Sequence, residues 1–186
     1  MILRKPFIAI QLVFVIFFAS HVNAKPSSIK RFDLPSNGFI EFQVPLSWDS
    51  KVQQPPGGLP PTITFFSNSE QSFIVMITPI FSIGPDMNIP NLNDIKQNIT
   101  SASDRAKIQS VEKKLKIQNI KGSMGSGFYF SATDKAPKPG EFKLLTQGML
   151  RVGELAPTFT VLSNPGSETV VSESLKMIQS AKHIKP

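Results

Sequence analysis

The hydrophobic and polar positions of the chain fall into short runs that predict β-strands. Ile40, Phe42 and Val44 alternate with polar residues, which is typical of a strand with one buried face. The run 73–80 is apolar at nearly every position, so it predicts a central strand covered on both faces. Further strands are predicted at 31–34, 62–66, 115–121, 127–132, 142–152 and 157–163.

Two segments instead repeat their apolar residues every three or four positions, as amphipathic helices do. The first covers 92–106, where Asn91 or Asn93 is placed to cap the first turn. The second follows Ser167, another residue suited to a helix cap. Grouped strands with few helices predict an α+β domain, in which helices pack on the faces of a mostly antiparallel sheet.

Residues 1–24 have the pattern of a secretory signal peptide. Two basic residues precede an apolar run, and a short polar stretch then ends in Val-Asn-Ala. The small residues before the junction predict cleavage between Ala24 and Lys25. Because the apolar run is shorter than the roughly 20 residues that span a bilayer, an uncleaved anchor is the weaker alternative. We therefore expect a secreted or periplasmic protein whose mature form has no transmembrane anchor.

The mature chain is expected to form one folded domain. Its length suits a single hydrophobic core, with a polar leader over 25–30, an α+β domain over 31–182 and a tail over 183–186. Chain ends with few apolar residues usually fray, so we expect the tail to be poorly ordered.

The composition removes most catalytic chemistry. The chain has no cysteine, which excludes disulfides, thiolate nucleophiles and cysteine zinc sites. Loss of His21 with the signal peptide leaves His183, near the C-terminus, as the one histidine of the mature chain. A catalytic triad would have to use this one histidine in a tail that we expect to be poorly ordered, and a two-histidine metal site needs a second imidazole. We therefore predict no catalytic residue, no metal site and no cofactor.

Three weak motifs are better explained by structure. The glycine cluster 122–127 leads into an apolar strand and not a helix, so a turn or bulge is favoured over a phosphate cradle. Ser-x-x-Lys occurs at 27–30 and 110–113, but neither match has the companion motifs of a serine–lysine hydrolase. A pair of carboxylates that meets only in space stays open as an alternative.

The positive charge is concentrated in one stretch. The formal net charge is +7, or +5 once the two basic residues of the signal peptide are removed. Residues 93–121 hold seven basic and three acidic side chains, and the excess lies mainly at Lys113, Lys114, Lys116 and Lys121. Because 107–121 has no aromatic residue for base stacking, nucleic acid is not an expected partner. A solvated face and an anionic partner both remain open.

Two irregular segments are further candidates for partner contact. The stretch 53–61 is rich in proline and glycine, and 81–91 includes Phe81 and Met87. Trp48, the one tryptophan, is a third candidate. The alternative is that these apolar residues fold back into the core.

The stretch from Phe39 to Trp48, a strand that runs into a proline turn and a tryptophan, resembles the start of PsbP-like domains. The order of the later segments also fits, up to the closing helix that ends near Ala181, so the resemblance covers about 31–182. It implies an α/β/α sandwich and accessory or binding roles more often than enzymatic ones. Some PsbP-like proteins bind metal through histidine and carboxylates, but with one histidine left we transfer no site residue.

The combined prediction is an exported, non-enzymatic binding or accessory module. Its expected partner is another envelope or secreted protein. Two alternatives stay open: a hydrolase that uses carboxylates without histidine or cysteine, and a basic adhesion protein for anionic envelope surfaces.

Overall fold

The fold is built from antiparallel strands that form two sheets. The computed structural model describes residues 26–67, 72–82 and 88–186. The strands are β1 (Ser27–Leu34), β2 (Gly38–Pro45), β3 (Trp48–Gln53), β4 (Thr62–Ser67), β5 (Phe73–Ile80), β6 (Gln118–Gly122), β7 (Gly125–Thr133), β8 (Leu144–Leu150), β9 (Ala156–Ser163) and β10 (Lys182–Ile184). The helices are α1 (Leu92–Lys107) and α2 (Glu168–Gln179).

Within the described residues, the larger sheet has seven strands in the order β3-β4-β5-β9-β8-β7-β6, and the smaller has three in the order β1-β2-β10. Every strand pairing in these sheets is antiparallel. The α+β prediction with a mostly antiparallel sheet is therefore confirmed. The apolar run at 73–80 forms β5, between β4 and β9, as its lack of polar positions predicted.

The main core lies between the two sheets and α2. Phe32 and Phe42 of the small sheet both pack on Phe65 of the large one, with ring centroids 5.6 and 5.8 Å apart in edge-on geometry. Edge-on contacts place the positive ring edge against the negative ring face, which adds to the burial of the rings.

A second core lies on the opposite face of the large sheet, where α1 covers β7 and β8. Ile95 and Ile99 of the helix are buried against Phe130, so the predicted stripe is the side that packs. The cap is Asn91, whose side chain accepts hydrogen bonds from the backbone of Asn93 and Asp94. At α2, Ser167 occupies the cap position but its side chain makes no cap hydrogen bond.

Both predicted chain ends need correction. The leader expected over 25–30 is ordered from Ser27 onward as the start of β1, a polar strand at a sheet edge. The tail expected over 183–186 begins instead within β10, which pairs with β2. His183 is only 7% exposed there. Short polar strands on an edge lack the apolar alternation by which strands are recognised, which also explains why β3 was not predicted.

No helix within the described ranges is long and apolar enough to cross a bilayer.

Candidate functional site

The four lysines singled out by sequence lie along one edge of the molecule. Lys113, Lys114 and Lys116 belong to the segment that leaves α1, and Lys121 lies on β6, the outermost strand at that side of the large sheet. We call these four residues the basic edge. All four are exposed, and none takes part in an ion pair within the described ranges.

The backbone under the basic edge is fixed by contacts to the strand β7. The backbone N–H of Val111 donates to the carbonyl of Thr133 over 2.8 Å, and the N–H of Thr133 donates to the carboxylate of Glu112 over 3.0 Å. The buried Ser110 hydroxyl donates to the Glu112 carbonyl, and Leu115 is buried in the core under α1. The lysines therefore project from a segment with a defined conformation.

Glu112 is the acidic group that anchors this segment. Partial burial raises its pKa, but hydrogen bonds from the backbone and side chain of Thr133 favour the ionised carboxylate. The net effect places the pKa of Glu112 below its ordinary value. The anchor is therefore ionised at neutral pH, where it is hydrogen-bonded to Thr133 and offsets one of the positive charges of this segment.

Two exposed apolar residues lie among the lysines, and sequence reasoning missed both. Ile108 is 72% exposed and Val111 is 60% exposed. Ile108 follows Lys107 in the chain, and Val111 lies two positions before Lys113, so exposed apolar and cationic side chains share this segment, as they do at the centre and rim of a protein interface. The sequence did offer one signal: neither residue continues the apolar stripe of α1 through Ile95 and Ile99, so neither was expected to pack under the helix.

A fifth cation, Lys96, joins this surface from α1. Its ammonium lies 5.7 Å from the centroid of the Phe128 ring, a cation–π geometry. Phe128 is the cross-strand partner of Asn119 on β6, so it lies on the same face of the sheet as Asn119 and Lys121. Lys96 was not singled out from the sequence because the register between β6 and β7 was not known.

The free edge of β6 is partly blocked. The side-chain amide of Gln179 in α2 donates to the carbonyl of Lys121 over 3.0 Å. A lysine on an edge strand, together with a side chain that occupies its backbone, discourages pairing with another strand. A partner is therefore expected to contact the charged lysine side chains and not to pair with the backbone of β6.

The aromatic candidates belong to the core, which corrects the expectation that they form contact surface. Trp48 is 3% exposed and packs on Phe73 with ring centroids 4.6 Å apart. Phe81 is 1% exposed. The remaining candidates, Met87 and the cleavage pair Ala24 and Lys25, lie outside the described residues.

The segment 53–61 is the connection of a hairpin. Gln53 closes β3 opposite Thr62 of β4, and the Gln54 amide donates to the carbonyl of Leu59 over 2.8 Å. Gly57 and Gly58 both adopt positive φ, which tightens the loop. The segment is therefore a short connector between β3 and β4, but the Leu59 side chain is exposed and does not fold back into the core as the alternative expected.

The weak catalytic motifs are not arranged for catalysis. Ser27 and Lys30 point to opposite faces of β1, and Lys30 donates to the Trp48 carbonyl over 3.0 Å. Ser110 and Lys113 lie after the end of α1, so they do not share a helical turn. The glycine cluster forms the tight hairpin turn between β6 and β7, as predicted.

The contacts of His183 hold the C-terminal strand in place. Its Nε2 lies 2.9 Å from the carbonyl oxygen of Asn37, and its backbone N–H contacts the sulfur of Met124. Among the described residues, no group of three or more histidine, cysteine, aspartate or glutamate side chains is placed to hold a metal ion.

Comparison with known proteins finds the fold but no sequence relative. No family model matches the chain, and no curated protein matches it in sequence. A solution structure of cyanobacterial PsbP (CyanoP) from Synechocystis sp. PCC 6803 matches with a TM-score of 0.52 at 12% identity, covering 90% of this chain and 99% of that chain. A crystal structure from Bacteroides thetaiotaomicron VPI-5482 matches with a TM-score of 0.54 at 12% identity, covering 78% of this chain.

The second of these proteins is much longer, since the match spans 45% of its length. At 12% identity both comparisons concern the fold alone. The PsbP-like architecture expected from the residues around Trp48 is confirmed.

Proposed function

We propose that this protein is an exported, non-enzymatic accessory module that binds an acidic protein partner through the basic edge. One observation carries the proposal: exposed lysines that form no ion pair within the described ranges follow the exposed Ile108 and Val111 on a segment with a defined conformation. In such a surface the burial of the apolar side chains contributes affinity, and the charges around them orient the partner. The PsbP-like fold, shared with a protein of that name, supports an accessory role.

Two cavities lined by described residues favour binding over carboxylate hydrolysis. Glycoside hydrolases place two carboxylates about 5 to 10 Å apart across a cleft. The cavity beside the end of α1 is lined by one carboxylate, Asp134. The cavity over the small sheet is also lined by one, Glu41, which is paired with Arg31.

A protein partner is favoured over a lipid surface by the shape of this region. The cations project from a bent connection and from β6, not from one continuous amphipathic helix that could lie in a membrane plane. The adhesion alternative makes a different prediction, since it requires binding to anionic vesicles.

The experiment compares the protein with two triple variants of equal charge. The edge variant carries Lys113→Gln, Lys114→Gln and Lys116→Gln. The control variant changes three exposed lysines elsewhere, Lys51, Lys138 and Lys182, to glutamine. Immobilised proteins are incubated with envelope and secreted fractions of the cells that make the protein.

We expect the unchanged protein and the control variant to retain the same acidic protein, and the edge variant to lose it. Retention by the edge variant would contradict the proposal. Tight binding to anionic vesicles, without retained protein, would support adhesion instead. Turnover on a broad panel of hydrolase substrates would overturn the non-enzymatic assignment.

A further inference from the structure

A cavity of about 210 Å³ opens between the C-terminal end of α1 and the large sheet. Ala132, Leu145 and Leu162, which lie side by side on β7, β8 and β9, form its apolar floor. Arg105 from α1 and Lys143 before β8 line the same cavity. It is thus an apolar recess with cations at its rim.

The apolar floor continues across the sheet beyond the cavity. Leu162 pairs with Ile74 on β5, and Ile74 pairs with Phe66 on β4. Cross-strand partners point to the same face, so these side chains form one row. From Leu145 to Phe66 the row crosses three interstrand steps of about 4.8 Å, roughly 14 Å in all.

Part of this row has no cover among the described residues. α1 packs on β7 and β8. Phe66, Ile74 and Leu162 are half-buried and belong to neither hydrophobic core. A half-buried apolar strip of this length, with cations at its cavity end, is suited to a long and narrow apolar ligand.

The charges at the cavity end of the strip indicate the chemistry of the ligand's head group. Arg105 and Lys143 are exposed, and neither forms an ion pair within the described ranges. The one acidic group in the lining, Asp134, accepts a hydrogen bond from the backbone N–H of Ala136 over 2.8 Å. The lining therefore carries two cations against one anion, which favours a ligand with a single negative head.

We propose that this strip binds a single-chain fatty carboxylate. The carboxylate contacts Arg105 and Lys143, because a guanidinium presents paired donors that match the two oxygens of a carboxylate. The alkyl chain lies over Leu162 and Ile74 toward Phe66. This site shares no charged residue with the basic edge, so variants at Arg105 and Lys143 test it independently of the lysines at 113, 114 and 116.

The test is calorimetric titration of laurate, below its micelle concentration, into the protein expressed as the full chain. A head-group variant carries Arg105→Gln and Lys143→Gln, and its control carries Lys138→Gln and Lys182→Gln. All four positions are exposed, so both variants are expected to fold. We expect the head-group variant to bind laurate at least about tenfold more weakly, and the control to bind within about twofold of the unchanged protein.

Two further ligands separate the head from the chain. Butyrate has the carboxylate without the long chain, and dodecyl maltoside has the chain without the charge, so neither should bind as laurate does. Asp134→Asn should bind laurate more tightly, since it removes a like charge and keeps an oxygen for the Ala136 N–H. Equal laurate affinity in the head-group variant, or equal affinity for either of the other two ligands, would overturn the proposal.

Discussion

The carboxylate of Glu112 accepts a hydrogen bond from the backbone N–H of Thr133 over 3.0 Å. This contact fastens the segment after α1 to the strand β7 immediately before Lys113. The conformation that displays the basic edge therefore depends on an ionised carboxylate, which gives it a dependence on pH.

Acidification should release this anchor. The pKa of Glu112 is lowered in the folded protein, so ionisation contributes stability above its ordinary pKa, and that stability is lost as the pH falls through the lower, folded value. We expect the free energy of unfolding of the unchanged protein, measured in urea, to exceed that of Glu112→Gln at pH 7. This difference should shrink as the pH falls below the ordinary value of 4.5 and vanish below the lowered pKa of the folded protein.

The glutamine variant is the appropriate comparison because its amide oxygen can still accept from Thr133 but does not titrate. Glu112→Ala, which removes the acceptor, should cost about 1 kcal/mol at pH 7. A stability difference between the unchanged protein and Glu112→Gln that stays constant from neutral to acidic pH would show that the carboxylate is not the anchor.

The C-terminal strand should be needed for stability. His183 is buried where β10 pairs with β2, and its ring contacts the Asn37 carbonyl at the turn that precedes β2. His183→Ala removes that contact and should lower the free energy of unfolding by about 1–3 kcal/mol. Lys182→Ala, at the exposed neighbour, should change it by less than about 0.5 kcal/mol. Equally small changes in the two variants would indicate that the C-terminal strand contributes little to stability.

The single tryptophan should report on folding and be silent on surface binding. Trp48 is buried against Phe73, so its emission should be blue-shifted and poorly quenched by acrylamide in the folded protein. Urea unfolding should shift the emission to the red and expose it to quencher. Efficient quenching of the folded protein would contradict the position of Trp48 in the core.

The export proposal has a direct chemical test. If residues 1–24 are removed, the protein isolated outside the cytoplasm begins at Lys25, and Edman degradation or intact mass will show this. A secreted or periplasmic protein that retains Met1, or a protein found only inside the cytoplasm, would be inconsistent with a cleaved signal.

The sequence predicted the apolar strands and both helices, because burial of one side of each element spaces its apolar residues at regular intervals. The alternation at Ile40 and Phe42 and the stripe through Ile95 and Ile99 are direct consequences of one-sided packing. The edge strands β3 and β10 were missed because exposed strands are in contact with water, so polar residues are tolerated along them. The division into two sheets was missed because the pairing of β10 with β2 joins residues far apart in the chain.

Charge was predicted more successfully than contact geometry. The lysines of the basic edge could be found from the sequence because lysine side chains are charged and usually exposed in any fold. The apolar pair Ile108 and Val111 was missed. Trp48 and Phe81 were left as candidates either for partner contact or for the core, because exposure depends on packing that composition does not encode. The apolar strip proposed to bind a fatty carboxylate could not be predicted, because Leu162, Ile74 and Phe66 come from three strands and are brought together only by strand pairing.

The measurement that tests the central claim most directly is the affinity for poly-L-glutamate, an acidic polypeptide of defined chemistry, at physiological and raised ionic strength. It is made on the unchanged protein and on the edge and control variants, which lose the same charge. The proposal predicts that the edge variant binds at least about tenfold more weakly, the control stays within about threefold, and salt weakens binding by the unchanged protein. Equal losses in the two variants would contradict it, because net charge and not the basic edge would then determine binding.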